Sequence, residues 1–335
     1  MQFRQRMAVQ ALRLVAIAIP FVIGVVFSAA TGAPAAAESY PNRAVTIIVP
    51  FAPGSVTDAA ARLIGQQLQE ALGQPFVIES KTGAGGLIAA SAVAHAAPDG
   101  YTLLITTNST HSAAPALFKN VPYDPIKDFT PVARIGSFPS MIAVYPGLPV
   151  KTIGELVAYA KANPGKLEYG HGNSTGQVVG ETLKKRTGID IVRVAYRSNP
   201  PAVTDLIAGH IAMMIPDFNT GLPQVKAGLI RPVAVFTKER NKRLPDIPTL
   251  NETVMPGFDL LAWAGMFAPA NVPPEVVERL SAALQKILRD PIIVERFAEI
   301  GTDTFYSGPQ DFSDYVKTEL VKWTAVAKEA GIEPE

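Results

Sequence analysis

The chain has 335 residues, with 30 Lys or Arg against 29 Asp or Glu, four histidines and no cysteine. A formal charge of +1 argues against a nucleic-acid partner, which needs a concentrated basic surface, and the lack of cysteine excludes disulfides and thiolate metal centres. With 48% hydrophobic residues, this length suits one large or two medium domains.

The first 37 residues differ from the rest. Arg4, Arg6 and Arg13 make a basic start, an apolar stretch covers 14–27, and small residues lead to Ala35-Ala36-Ala37, which together form the three parts of a secretory leader. Cleavage there predicts a mature N-terminus at Glu38 and a periplasmic location, and leaves 27 basic against 29 acidic residues, a charge of −2. A retained membrane anchor is the alternative, but the stretch is short and carries Pro20 and Gly24.

Beyond the leader, short apolar and β-branched runs predict strands over 45–49, 76–79, 101–106, 141–145, 167–170, 191–195, 211–215 and 232–236. Helical spacing predicts helices over 57–72, 87–97, 153–162, 177–186 and 200–208 between them. The alternation argues for an α/β fold with parallel sheets covered on both faces, arranged in two blocks. After Trp263 helices dominate, over 274–288, 291–300 and 312–330, and terminal helices of this kind pack back on an earlier sheet.

The turn Pro50-Phe51-Ala52-Pro53-Gly54-Ser55-Val56-Thr57-Asp58 joins the first strand to the first helix. Small residues there leave backbone N–H groups free at the positive end of a helix, which is an anion site, although the same residue types serve an ordinary N-cap. Gly172-Asn173-Ser174-Thr175-Gly176 fits the G-x-S-x-G pattern of a nucleophile elbow. The one histidine downstream is His210, at the N-terminal end of a strand, whereas the elbow lies at a C-terminal end, too far for proton transfer. Hydroxyl and amide groups opening a ligand-facing helix suit Asn173, Ser174 and Thr175 better. Gly83-Ala84-Gly85-Gly86 lacks the spacing of a dinucleotide or phosphate loop, and no cofactor is expected. No pair of histidines has metal-ligand spacing with carboxylates. His111, after Asn108 and Ser109, and His171 follow strand ends, where open α/β sheets bind ligands, and His95 falls within a helix. Arg197, past the end of strand 191–195, can hold a carboxylate bidentately or stand as a surface arginine. Asp217, past strand 211–215, can orient a ligand amine or hydroxyl or simply cap a turn.

Several segments together resemble the periplasmic solute-binding receptors of tripartite tricarboxylate transporters, the Bug or TctC-type family. They are Tyr40-Pro41, the turn from Pro50 to Asp58, Gly83-Ala84-Gly85-Gly86, Pro98-Asp99-Gly100-Tyr101-Thr102-Leu103-Leu104, Pro122-Tyr123-Asp124-Pro125, Pro164-Gly165-Lys166-Leu167 with Tyr169-Gly170, and Leu244-Pro245-Asp246-Ile247-Pro248-Thr249. The resemblance implies a type II periplasmic binding-protein fold with a cleft between two α/β domains, 38–139 plus 265–335 and 140–264. It implies a monomer that captures a small carboxylate for membrane transporter subunits. It also implies that the loops matched by 51–57 and 171–175 pinch the carboxylate. Two positions depart from the family pattern: Ser198 stands where a glycine is common, and Ala212 where an aspartate is frequent. The expected site takes Phe51, Gly54, Ser55, Asn108, Ser109 and His111 from one domain and His171, Asn173, Ser174, Arg197 and Asp217 from the other. A periplasmic serine esterase using Ser174, and a binding protein that reports to a sensor, are the alternatives.

Overall fold

The computed structural model describes residues 40–335. The expected leader and its cleavage site at Glu38 lie outside the described residues. The chain begins with β1 (Val45–Val49), α1 (Val56–Leu72), β2 (Phe76–Ser80), α2 (Leu87–Ala94), β3 (Thr102–Thr107), a π-helical turn at Ser109–Ala113 and α3 (Ala114–Leu117). Next come β4 (Phe129–Phe138), β5 (Met141–Val144), α4 (Ile153–Ala162), β6 (Glu168–His171), α5 (Ser174–Thr187), β7 (Val192–Ala195) and α6 (Asn199–Ala208). The remainder is β8 (Met213–Met214), α7 (Phe218–Lys226), β9 (Arg231–Val235), β10 (Ala262–Pro269), α8 (Pro274–Ile287), α9 (Pro291–Glu299), β11 (Asp303–Ser307) and α10 (Pro309–Glu329).

These strands form two sheets, of order β11-β4-β10-β3-β1-β2 and β7-β6-β8-β5-β9. Neither is wholly parallel, contrary to the expectation from the sequence. β1 runs parallel to β2 and β3, but β10 inserts antiparallel between β3 and β4. In the second sheet β6 is parallel to β7 and β8, while β5 is antiparallel to β8 and β9. β4, β10 and β11 fall where no strand was predicted. Pro131 and Gly136 interrupt the pattern of β4, and β10 is apolar on both faces because it lies mid-sheet, so neither shows the alternation of a half-buried strand. The predicted strand over 211–215 shrinks to the two residues of β8.

The local chemistry explains the longer elements. Ser55 caps α1 by accepting the Asp58 N–H at 3.3 Å, and Gly73, at φ 77°, closes it in the left-handed region. Val276, Leu280, Leu284 and Ile287 form the buried stripe of α8 and pack with α1 and the inner face of the first sheet. The chain leaves β4 at Phe138, enters β5 at Met141 and returns to the first sheet in β10. A third link is α10. Its Phe312 and Val316 pack with Trp263 and Phe267 of β10, whereas Trp323 and Ala327 belong to the core of the second sheet. At 1.5 Å per residue its 21 residues span about 30 Å, enough to reach both lobes. Among the described residues no helix is long and apolar enough to cross a membrane.

Candidate functional site

Both sheets turn the C-terminal ends of their parallel strands toward one cleft, the place where open α/β sheets take ligands. β1 runs into Phe51 and Ser55, β3 ends at Thr107, β6 leads to Gly172 and Asn173, β7 to Asn199, and β8 to Asp217. Phe138 and Ser140 at one crossing and Ala262 at the other complete the wall. The space between these residues is about 370 Å³, open solvent included. Gly172 lets the two loops of the second lobe meet. A Cβ there would lie 2.1 Å from the Ser198 carbonyl carbon and 2.3 Å from the Asn199 nitrogen.

Four helices start at this cleft. α1 presents Val56 and Thr57, α5 presents Thr175, α6 presents Asn199, and α7 begins behind its cap Asp217. First-turn N–H groups have no intrahelical acceptor, and the aligned peptide dipoles place partial positive charge at each of these ends. The caps take some of the donors: Asn173 accepts the Gly176 N–H at 2.9 Å, and Asp217 accepts the Thr220 N–H at 2.9 Å. Among the described residues no Lys, Arg or His lines the space, so an anion held there would be stabilised by backbone dipoles and neutral donors.

Two buried polar atoms of the lining, Thr57 Oγ1 and Asn199 Oδ1, have no hydrogen-bond partner among the described residues, on residues at most 3% exposed; Asn108 Oδ1 and Ser198 Oγ, on residues next in sequence to lining residues, also have none. An unmade hydrogen bond at a buried group is costly, so a concentration of such groups marks a place that a ligand completes. Asp217 is the one charged residue of the lining. Its Oδ1 accepts the Thr220 hydroxyl at 3.0 Å and its Oδ2 accepts the Asn199 amide. Burial raises its pKa, and these donors oppose the rise.

The lobes touch around the cleft. Asn108 donates through Nδ2 to Thr175 Oγ1 at 3.1 Å, the Ser174 N–H reaches Ser109 Oγ at 3.4 Å, and Asn219 donates to the Gly54 carbonyl at 3.2 Å. The expected site residues therefore separate into groups. Phe51, Ser55, Asn173 and Asp217 line the space, and Asn108, Ser109 and Gly54 fasten one lobe to the other. His171, Ser174 and Arg197 line a neighbouring hollow of about 810 Å³, open solvent included, that shares Gly172 and Asn173 with the cleft. Arg197 is exposed there, one residue before the N-cap Ser198 of α6, and does not line the cleft itself.

His111 lies in neither cavity. The π-helical turn carries it back beneath the sheet, fully buried and stacked on Phe267 with ring centroids 3.9 Å apart. Burial pushes its pKa down to about 3, so the ring is neutral, with Nδ1 2.8 Å from Thr110 Oγ1. His171 is likewise lowered to about 4 by burial. Its Nδ1 faces the Asn173 carbonyl at 3.2 Å and must carry the proton. Among the described residues no hydrogen bond joins Ser174 Oγ to a histidine. His210 is exposed beyond the C-terminal end of α6, paired with Asp205, with the whole helix between it and the cleft.

Thr107, Phe138, Ser140, Asn199 and Ala262 were not among the expected site residues, and Thr57 was expected only as the end of the loop 51–57. Asn199 follows a strand end and precedes Pro200 at a helix start, the same signal that marked Ser55, and could have been found that way. Phe138, Ser140 and Ala262 reach the cleft only because the chain crosses between the sheets there.

A family model described as tripartite tricarboxylate transporter family receptor matches residues 60–332. The protein BugT of Bordetella pertussis is 32% identical over 314 residues, covering 92% of this chain and 96% of its own. A structure of an R. palustris protein solved with adipate superimposes with a TM-score of 0.86 at 38% identity, over 88% of this chain and all of the other. MatC from Rhodopseudomonas palustris, solved with bound malate, gives 0.82 at 34% identity, over 86% of this chain and all of the other.

Proposed function

The chain belongs to the tripartite tricarboxylate transporter receptor family, and on that premise we propose that it is an extracytoplasmic receptor for a small organic carboxylate, which it delivers to the membrane subunits of such a transporter. The observation that carries this reading is the cleft. Four helix N-termini and the unpartnered buried atoms Thr57 Oγ1 and Asn199 Oδ1 meet there, with no basic side chain among the described residues of its lining. Relatives solved with adipate and malate supply the ligand class. In this reading Phe51, Ser55 and Thr57 act from the domain of residues 38–139 plus 265–335. Asn173, Thr175, Asn199 and Asp217 act from the domain of 140–264. Arg197, His171 and Ser174 border the neighbouring cavity, where a longer ligand would extend.

The protein acts as a monomer, without a cofactor, after removal of its leader on export to the periplasm. A binding role rather than a hydrolytic one is supported by the lack, among the described residues, of a histidine hydrogen-bonded to Ser174 and by the receptors that make up the family. A thermal-shift screen with mono-, di- and tricarboxylates tests the reading. A ligand present at 100 times its dissociation constant adds about 2.7 kcal/mol to stability. A clear upward shift with at least one carboxylate is expected, and a panel without any shift would refute it.

A further inference from the structure

The lining of the cleft offers two kinds of partner. The first turns of the helices offer N–H donors, with the Thr57 hydroxyl beside them. The Asn199 and Asp217 side chains offer acceptors. The bond from Asn199 Nδ2 to Asp217 Oδ2 fixes the amide, so that Asn199 Oδ1 is left unpartnered on a side chain 3% exposed. Asp217 receives three donors, two at Oδ1 from Thr220 and one at Oδ2 from Asn199, whereas a carboxylate accommodates about four. The unfilled positions on these two side chains are therefore acceptors.

A second carboxylate of a ligand has no donor to offer them and brings its own charge beside Asp217, with no Lys, Arg or His in the lining to offset it. An ammonium, hydroxyl or carboxamide fills both positions. Like charges brought together and polar groups left unpaired are the two strongest means a site has of rejecting an analogue. Resting on the carboxylate-receptor reading above, we infer that this cleft selects a monocarboxylate bearing a hydrogen-bond donor at its far end over the dicarboxylate of equal length, and that Asp217 with Asn199 makes the distinction.

The test is calorimetric titration of the mature protein at neutral pH. The probes are succinate, glutarate and adipate, each against its half-amide and the ω-amino acid of the same chain length. At the best chain length the donor-bearing ligand should bind at least about tenfold more tightly than the dicarboxylate. Asp217→Asn should narrow that ratio to about threefold or reverse it, because the amide adds a donor and removes the charge. Asp217→Ser keeps an N-cap oxygen for Thr220 and should narrow it too, which guards against one variant failing to fold. A dicarboxylate preferred by the parent, or a ratio unmoved in both variants, would overturn the inference and leave the receptor reading intact. If no carboxylate of either kind binds, the receptor reading itself fails, and the inference with it.

Discussion

Replacing Gly172 with alanine should damage both stability and binding, by amounts the geometry sets. The added Cβ would sit 2.1 Å from the Ser198 carbonyl carbon, 2.3 Å from the Asn199 nitrogen and 2.5 Å from the Ser198 oxygen. Carbon contacts are favourable near 3.5–4.0 Å, so the strand end of β6 and the start of α6 must part by roughly an ångström. All three obstructing atoms are backbone, and no rotamer change relieves them. Overpacking of this kind costs about 1–3 kcal/mol. The displacement also carries Asn199 away from the cleft, and loss of one hydrogen bond to a charged ligand, about 1.5–3 kcal/mol, weakens binding roughly 10- to 150-fold. Gly154→Ala is the control of opposite sign. It sits in the first turn of α4 with nothing nearer than Thr152 Oγ1 at 3.9 Å, and should gain about 0.5–1 kcal/mol. Urea denaturation and calorimetry of both variants provide the test. A Gly172→Ala protein within about 0.5 kcal/mol of the parent and equal in affinity would refute the packing argument.

Asn199→Ala should reduce carboxylate affinity roughly 10- to 150-fold, while Arg197→Ala, exposed on the neighbouring cavity, should change it by less than about threefold. Calorimetric titration compares them, and a larger loss in Arg197→Ala would move the anion site. Trp323→Ala should cost about 3–5 kcal/mol in denaturant titration, because this fully buried ring carries α10 into the second core. Acid should destabilise the protein through His111, whose folded pKa of about 3 lies below its ordinary value of 6.5. As pH falls from 6.5 toward 3 the unfolded chain takes up a proton that the folded one refuses, so stability drops by up to ~1.4 kcal/mol per pH unit from this group. Denaturation midpoints of the parent and His111→Gln between pH 7 and 4 check the slope, and equal slopes would contradict it.

Much of the cleft was legible because helix caps and strand ends leave local signatures. Ser55 and Asn173 are N-cap residue types placed directly after apolar strands, and both proved to open helices at the site. Asp217 follows the same rule at α7. Position past a strand end does not settle side-chain direction, however. His111 satisfies the rule, yet the π-helical turn sends it into an aromatic cluster with Phe129 and Phe267 whose members are far apart in sequence. Arg197 satisfies it as well, but faces the neighbouring cavity. The antiparallel insertion of β10 left no local trace, since a strand buried on both faces has no alternation to read. With β10 hidden, Ala262 and the crossing residues Phe138 and Ser140 could not be assigned to the cleft.

A crystal structure of the mature protein with the tightest-binding carboxylate from the screen tests the site most directly. The carboxylate should lie between the first turns of α1 and α5, within about 2.7–3.2 Å of donors from Thr57 and Thr175, with the rest of the ligand toward Asn199 and Asp217. A carboxylate held instead by Arg197 in the neighbouring cavity, with the inner cleft filled only by water, would contradict it.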